Sequence, residues 1–254
     1  HASTGAWSAT VPTDNLPSSG SGSVTFTVTS SDAAGNTATV TRTATVDTTA
    51  PNLVVTQTDA TIATDGTINA AERTAGVVLS GTTEAGRQVN ISTGTGTDVT
   101  ITAHASTGAW SATVPTDNLP SSGSGSVTFT VTSSDAAGNT ATVTRTATVD
   151  TTAPNLVVTQ TDATIATDGT INAAERTAGV VLSGTTEAGR SVTIATGTGA
   201  DVTVTAHAST GEWSATVPAD NLPTNGSVTF TVTSSDAAGN TATVTRTASV
   251  DTAA

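Results

Sequence analysis

Hydrophobic and polar residues alternate along most of this chain. In the run 127–132 (Val-Thr-Phe-Thr-Val-Thr), the Val and Phe side chains fall on one face and the Thr side chains on the other. Trp110, Ala112 and Val114 share a face in the same way. A period of two predicts half-buried antiparallel β-strands. Within 47–149 it indicates seven strands and an eighth as a possible split of one of them, at 53–59, 76–83, 88–93, 98–103, 109–114, 126–134 and 140–149.

Two places depart from this alternation. Arg145 shares its parity with the apolar Val143 and Ala147, so either it points inward near a sandwich edge or a bulge flips the register. The segment 60–75 has no strand period and is expected to be irregular. Within it, Asn69 with Glu72 three residues later resembles a capping box, which predicts one short helical turn.

The chain repeats itself almost without change. Residues 1–87 recur as residues 104–190, an offset of 103. A period of about 100 residues matches a whole small domain and is too long for a solenoid repeat. Pro51 and Pro154 lie in Asp-Thr-Thr-Ala-Pro-Asn segments, which predict linkers. The expected division is therefore the second half of a repeat at 1–46 and complete repeats at 47–149 and 150–254.

Seven short alternating strands in about 100 residues indicate a β-sandwich of immunoglobulin type. The expected fold class is all-β: tandem immunoglobulin-like antiparallel β-sandwiches arranged as an extended rod. Residues 1–46 hold only the last strands of such a sandwich, so the face of Val24, Phe26 and Val28 could not be buried alone. We expect the parent protein to continue upstream.

Composition narrows the function. The formal net charge is −13 and all seven basic residues are Arg. Such a surface repels nucleic acid and anionic membranes, so neither is an expected partner. There is no cysteine, so no disulfide can stabilise the fold. His104 and His207 each lie in a turn without a second His or a nucleophile at fixed spacing. No arrangement typical of an enzyme is present, and we expect none of the repeats to be one.

Carboxylates are expected to converge where one repeat meets the next. In an antiparallel sandwich successive loops alternate between the two ends of the domain, so the loops at 84–87 and 135–139 return to the end that faces the preceding linker. Three carboxylates at one place repel unless a cation lies among them, and Ca²⁺ prefers such oxygen ligands. The predicted calcium ligands at the two joints are Asp47, Glu84 and Asp135, and Asp150, Glu187 and Asp236.

A simpler interpretation remains open for these residues. Asp135 and Asn139 can form an Asx-type turn while Asp47 solvates a linker. At the other end of the sandwich, facing the following linker, Asp65, Asn69 and Glu72 could add a second calcium site. Turn and capping roles explain those residues equally well.

Four motifs occur in register along the whole chain. They are the Asp-Thr-Thr-Ala-Pro linkers, Ser-Asp-Ala-Ala-Gly-Asn (134–139, 235–240), Ile-Asn-Ala-Ala-Glu (68–72, 171–175) and Gly-x-Trp-Ser (108–111, 211–214). In combination they resemble the bacterial Ig-like extender domains of giant repetitive Gram-negative adhesins, the RTX-type and biofilm-associated surface proteins.

The resemblance implies a secreted stalk anchored at the cell surface, with Ca²⁺ stiffening its joints. Such a stalk projects a distal adhesive region for cell adhesion and biofilm formation. Its partners would be neighbouring repeats of the same chain, without direct membrane contact, and any host or surface ligand would bind elsewhere in the parent protein. The alternatives are a multivalent carbohydrate- or protein-binding module and a self-assembling extracellular fibre subunit.

Overall fold

The computed structural model describes residues 5–121 and 123–253, with Ser124 described by its backbone alone. The part of the sequence analysis that falls on residues 1–4, 122 and 254 lies outside the described residues. The chain divides into two compact units. Unit 1 contains the chain up to Asp59 with Val78–Val114 and Thr128–Thr146; unit 2 contains Ala60–Val77, Pro115–Val127 and the chain from Ala147 onward.

Strands dominate both units. The first segment of the chain contains β1 (Ser21–Ser31) and β2 (Thr37–Asp47). The strands between residues 47 and 150 are β3 (Val54–Val55), β4 (Thr67–Ile68), β5 (Val77–Thr82), β6 (Gln88–Ser92), β7 (Val99–Thr102), β8 (Ala109–Val114), β9 (Ser124–Ser134) and β10 (Thr140–Asp150).

The same order of strands recurs after residue 150. The strands there are β11 (Val157–Val158), β12 (Thr170–Ile171), β13 (Val180–Thr185), β14 (Ser191–Ala195), β15 (Val202–Thr205), β16 (Glu212–Val217), β17 (Asn225–Ser235) and β18 (Thr241–Asp251). The helices are α1 (Ala70–Ala75) and α2 (Ala173–Ala178), with 3-10 turns at Thr13–Asn15, Asp59–Thr64, Thr116–Asn118, Asp162–Thr167 and Ala219–Asn221.

Two sheets form the sandwich of the last repeat. Their strand orders are β12-β18-β17-β14-β15 and β11-β13-β16, and the middle repeat has the equivalent orders β4-β10-β9-β6-β7 and β3-β5-β8. The expected antiparallel sandwich is confirmed, and one edge adds a short parallel pairing between β12 and β18. A chain that enters the sheet directly from a 3-10 turn needs no hairpin reversal there.

The core lies between the two sheets and contains the residues that the alternation selects. Phe230, Val232, Ile194 and Leu182 are fully buried. Trp213 is 4% exposed and packs in the same cluster. Trp110 is buried to the same degree, so the face that it shares with Ala112 and Val114 is the core face.

Gly184 marks a place where the strands approach too closely for a side chain. A Cβ on this residue would lie 1.9 Å from the carbonyl oxygen of Val157 and 3.0 Å from the ring of Trp213. Only glycine allows β11 and the Trp213 ring to pack against β13 together.

The capping box predicted within 60–75 is present. The side chain of Asn69 accepts hydrogen bonds from the backbone N–H groups of Ala71 and Glu72, and Glu72 accepts one from the N–H of Asn69. The remainder of this segment is more ordered than expected. Its Ile62 and Ile68 are fully buried, and Ile68 lies in β4.

The strand predicted at 53–59 is shorter than expected. Its ladder with β5 ends at Val55. One more backbone bond follows, from the N–H of Thr56 to the carbonyl of Ser80 at 2.8 Å, and beyond it the side-chain amide of Gln57 pairs with Ser80. Gln57 Nε2 donates to Ser80 Oγ at 3.1 Å, and Ser80 N donates to Gln57 Oε1 at 3.0 Å. The side chain thus replaces backbone pairing, and the chain turns into a 3-10 segment at Asp59.

The arginine that breaks the apolar parity points inward, and no bulge is needed. In the last repeat β17 and β18 pair without interruption through Phe230 and Arg246. The guanidinium of Arg246 reaches the carbonyls of Gln160 at 2.6 Å and Val158 at 3.3 Å. Arg145 makes the equivalent bonds to Gln57 and Val55. Val158 ends the two-residue strand β11 and Gln160 lies just beyond it, so the arginine supplies donors to carbonyls at and after the end of the short ladder.

Replacing Arg246 by Met should lower the free energy of unfolding of the last repeat by about 1–3 kcal/mol, because the carbonyls of Gln160 and Val158 lose their donor. Hydrogen exchange of peptides from β17 and β18 measures this. Arg42→Met is the matched control, since Arg42 donates to the adjacent Thr41 carbonyl, and it should change stability by less than about 0.5 kcal/mol. Equal effects of the two substitutions would contradict this role.

Acid should weaken the attachment of the 3-10 segment to β18. The Thr247 backbone N–H, the Thr247 hydroxyl and the charge of Arg246 hold the pKa of Asp162 below its ordinary value of 3.8. The carboxylate therefore stabilises the fold fully above pH 3.8, and this contribution is lost as the pH falls through the lower folded pKa. The stability difference between the protein and Asp162→Asn should shrink over that range in urea unfolding. Thr247→Val should raise the pKa of Asp162 measured by NMR, and an unchanged value would contradict the assignment.

Candidate functional site

The candidate site is the joint between successive repeats, and the turn Asp236–Asn240 is its centre in unit 2. Asp236 Oδ1 accepts a hydrogen bond from the backbone N–H of Asn240 at 2.9 Å. Asp236 Oδ2 accepts one from Asn240 Nδ2 at 2.8 Å. This locks the turn and fixes the direction of the Asn240 side chain.

Asn240 also bonds to two earlier segments of the chain. Its Nδ2 donates to the carbonyl oxygen of Asp150, the last residue of β10, at 2.8 Å. Its Oδ1 accepts from the backbone N–H of Ala70, the first residue of α1, at 2.8 Å. Asn69 Nδ2 adds a bond of 3.0 Å to the carbonyl oxygen of Ala238. One asparagine side chain therefore bonds to the linker, to the helix of the middle repeat and to its own turn.

These contacts bury the turn. Ala238 and Asn240 are both 6% exposed, whereas Ala137, the residue equivalent to Ala238 in the middle repeat, is exposed. The two turns have the same sequence, so the contact with Asn69 and Ala70 accounts for the difference. The first N–H groups of a helix have no partner within the helix, and Asn240 supplies one for Ala70.

Unit 1 contains the equivalent turn with its linker. Asn139 Nδ2 donates to the carbonyl oxygen of Asp47 at 3.1 Å and to Asp135 Oδ2 at 2.7 Å. Hydrogen bonds from Asn139 and from the loop backbone hold the pKa of Asp135 below its ordinary value of 3.8. Asn139 thus links the backbone carbonyl of Asp47 to the carboxylate of Asp135, and Asn240 links Asp150 to Asp236 in the same way. The carboxylates of Asp47 and Asp150 have other partners: Asp47 accepts from Ser21 and the N–H of Thr49, and Asp150 from the N–H of Thr152.

The third predicted ligand at each joint lies in the neighbouring loop with its carboxylate engaged. Thr83 donates to Ser133 at 3.0 Å, so the loop that carries Glu84 lies beside the strand that leads to Asp135. The Glu84 side chain, however, pairs with Arg87 at 3.6 Å, and Glu187 pairs with Arg190 at 3.5 Å. Among the described residues, no group of three or more His, Cys, Asp or Glu side chains is placed to hold a metal ion.

The Asx-type turn that was left open is therefore present, since Asp135 Oδ1 accepts from the N–H groups of both Ala137 and Asn139. At the far end of the middle repeat, Asp65 accepts from the N–H of Thr67, and Glu72 caps the helix. These are the turn and capping roles. Sequence reasoning missed Asn69 and Asn240 as partners, although the recurrence of both their motifs in register was the signal that could have found them.

Comparison with known proteins gives the family. The model described as Bacterial Ig-like domain (group 3) matches residues 6–146 and 116–250. This chain belongs to that family. A search of curated proteins found no match.

Solved structures of adhesins resemble this bacterial Ig-like chain. One, described as a "Ca2+-stabilized adhesin" that "helps an Antarctic bacterium reach out and bind ice", is 37% identical with a TM-score of 0.50, and the match covers 91% of this chain and 57% of that one. A 1.5-MDa bacterial ice-binding adhesin is 32% identical with a TM-score of 0.49, covering 91% of this chain and 75% of that one. This chain therefore spans little more than half the length of the first of these relatives. None of the helices in the described part of the chain is long and apolar enough to cross a membrane.

Asn240→Ala should expose the amide of Ala70 to exchange with solvent. Losing this bond should speed hydrogen exchange at Ala70 about tenfold or more, for a net cost of ~1.4 kcal/mol. Two-dimensional NMR of the full chain in EDTA measures it.

Two further variants separate the bonds of Asn240. Asn139→Ala changes the equivalent residue of the other turn and should leave Ala70 protected. Asn240→Asp keeps an oxygen that can accept from Ala70 but removes the donor to Asp150, so Ala70 should keep most of its protection. Unchanged exchange in Asn240→Ala would show that Asn240 does not hold the joint.

Proposed function

We propose that this chain is part of the stalk of a large bacterial surface adhesin. Complete Ig-like repeats at 47–149 and 150–254, with part of a repeat at 1–46, act as structural extenders that project an adhesive region located elsewhere in the parent protein. The single observation that carries this proposal is the side chain of Asn240, which bonds to two preceding segments and to its own turn. A side chain that links successive repeats is what a protein needs if its role is to extend a distal region away from the cell.

The recurrence of the joint supports this function. The turns at 135–139 and 236–240 bond to their linkers through the same atoms. Each added repeat therefore brings its own connection to the one before it. Three Trp and three Phe in the whole sequence, with Trp110, Trp213, Phe129 and Phe230 buried, leave little aromatic surface for the stacking of sugars. This favours an extender over a carbohydrate-binding module.

Calcium at the joints is the second part of the proposal. The residues at each joint carry carboxylate and carbonyl oxygens, the kinds of ligand that Ca²⁺ prefers. At the first joint these are Asp47 and Asp135, with Glu84 as the third carboxylate. At the second they are Asp150, Asp236 and Glu187. A solved relative described as Ca²⁺-stabilized supports this choice of ion.

The donor set fits calcium in chemistry, and binding would require its carboxylates to leave their present partners, such as Ser21 and Thr49 for Asp47. Glu84 and Glu187 belong to ion pairs that are roughly 40% exposed, and exposed pairs contribute about 0–1 kcal/mol. Binding of a divalent cation would release each glutamate from its arginine at little cost. Calcium would then neutralise the like charges of three carboxylates and fasten the linker to the domain after it.

This proposal places the protein outside the cell, at the surface, where it supports adhesion and biofilm formation. Extracellular calcium at millimolar concentration occupies about half or more of the sites even when their Kd is about 10⁻⁴–10⁻³ M, whereas the cytosol leaves them empty. The joints would stiffen only after export. The net charge of −13 opposes binding to nucleic acid and to anionic lipid, so the expected partners are neighbouring repeats.

Removing calcium should lower the melting temperature and change the small-angle scattering of the full chain. An ion that binds only the native state stabilises it by about 2.7 kcal/mol at a hundredfold excess over Kd. Asp150→Ala should remove the effect of EDTA at the second joint and leave it at the first. Isothermal titration calorimetry would count the loss of one class of sites.

Arg87→Gln provides the complementary variant. It frees Glu84 from its ion pair and should tighten calcium binding at the first joint without changing the second. Asp220→Ala, in a 3-10 turn away from both joints, is the control for loss of one negative charge. Melting and scattering that do not respond to EDTA would contradict the calcium proposal while leaving the joint formed by Asn240 untouched.

A further inference from the structure

The last hairpin of the chain, β17–β18, begins with a dipeptide that the two earlier hairpins lack. Asn225 stands at the position that is Ser21 in β1 and Ser124 in β9, and Gly226 follows it. Every other Asn of the sequence is followed by Leu, Thr, Ala or Ile. The difference sets one residue of the last repeat apart in its chemistry.

An Asn that precedes Gly can react with its own backbone, because Gly has no Cβ to hinder the approach. The backbone nitrogen of Gly226 attacks Cγ of Asn225, the Cγ–Nδ2 bond breaks, and ammonia leaves with the proton of the Gly226 N–H. The product is a five-membered succinimide. Water then opens this ring, giving aspartate when it adds at Cγ and isoaspartate when it adds at the main-chain carbonyl carbon. Nothing is oxidised or reduced, and water is the co-reactant.

The structure leaves both reacting residues accessible. Asn225 and Gly226 are exposed. Gly226 has a φ of 102°, and among the described residues no atom outside its chain neighbours lies within 4 Å of the place that a Cβ would take. The two residues form the terminal rungs of the ladder with β18, opposite Asp251 and Val250. Because the ends of a ladder open most easily, little of the fold must yield before the ring can close.

This exposure belongs to the position itself. Ser21, the equivalent residue of β1, is also exposed, although the chain continues from β2 through the linker into the middle repeat. A linker that continues into a further repeat therefore leaves the position open to water.

The side chain that would react also holds the start of the linker. After β2, the N–H of Thr48 donates to the backbone carbonyl of Gly20 at 3.2 Å. After β18, the N–H of Thr252 donates to Asn225 Oδ1 at 3.3 Å, while the Thr252 hydroxyl donates to the carbonyl of Thr224 at 2.8 Å. A reactive amide thus takes the place of a backbone acceptor in the last repeat.

We propose that Asn225–Gly226 is a self-modification site, at which water converts Asn225 to aspartate and isoaspartate and so changes how the linker is held. Aspartate keeps an oxygen for the N–H of Thr252 but places a negative charge directly opposite Asp251, and like charges opposite each other destabilise a strand pair. Isoaspartate lengthens the backbone by a methylene group and disturbs the last rungs. The attachment of this linker therefore weakens as the protein ages.

The test incubates the full 254-residue chain in mildly alkaline buffer with EDTA and follows its peptides by mass spectrometry. The Asn225 peptide should exchange its amide for a carboxyl group. Asn155 is the internal control, since it is exposed in the same repeat but precedes Leu156. It should react at least about tenfold more slowly, a barrier difference of ~1.4 kcal/mol. Assignment by peptide excludes isomerisation at Asp65 and Asp168, which also precede Gly but release no ammonia.

A matched variant removes the reactive group and keeps the hairpin. Asn225→Ser restores the residue of the two earlier hairpins, so its peptide should not change in mass and the chain should melt as before. Hydrogen exchange at the Thr252 amide, measured by NMR, should become several-fold faster with age in the original chain. It should not change with age in Asn225→Ser.

Three results would overturn the proposal. A folded chain that keeps Asn225 intact, while the free peptide of residues 222–230 reacts, would show that the ladder protects the dipeptide. Equal rates at Asn225 and Asn155 would show that Gly226 confers no reactivity. Modification without any change in exchange at Thr252 would show that the linker does not depend on this side chain. Calcium is absent from every arm, so the outcome is independent of the function proposed for the joints.

Discussion

Burial of one apolar sheet face by the other half of the repeat is the interaction on which this structure depends. Strand alternation places Val, Phe and Val on a single face of β9 and of β17, and that face is stable only when a second sheet covers it. Leu182 and Trp213, from the other sheet, cover it in the last repeat. The hairpin β1–β2 shows the same face without its cover, with identical side chains left exposed to water. Each repeat should therefore fold cooperatively, because neither half can bury its apolar face without the other.

The strand edges need an equally complete set of partners. An inward-pointing arginine would be costly in a core, yet Arg246 lies where the two-residue strand β11 leaves carbonyls without a ladder. The side chain of Gln160 completes the same edge by pairing with Ser183. Polar side chains thus supply the hydrogen bonds at the sheet edge where backbone pairing has stopped. The chain can therefore leave the sheet for the 3-10 segment Asp162–Thr167, whose Ile165 is buried in the core.

The joint extends this use of side chains from within a repeat to between repeats. Asn240 has one acceptor and one amide group, and the structure engages both, on the helix of one repeat, on the linker and on its own turn. The bonds from Asn240 to Asp150 and Ala70 run between backbone and asparagine atoms, so they form without an ion. Calcium, as proposed, would act on the carboxylates beside them. The hydrogen bonds of Asn240 would then make the contact between repeats specific. The calcium ion would make the joint stiffer as the calcium concentration outside the cell rises.

The sequence by itself determined the repeat, the strands of the sandwich, the core parity and the capping box at Asn69, because all of these follow from local spacing along the chain. It left open whether Arg145 points inward or a bulge flips the register. Parity along a strand predicts which face a side chain is on, but not which carbonyls lie there to accept its hydrogen bonds. It missed β4 and the buried Ile62, because Ala63 and Thr64 adopt a left-handed backbone that non-glycine residues rarely favour and only packing imposes. It placed Glu84 near the joint and could not foresee its pairing with Arg87. Above all, identical turns at 135–139 and 236–240 differ in burial because one meets Asn69 and Ala70. Contacts between residues some 170 positions apart exist only in the folded chain, so only the tertiary structure could decide them.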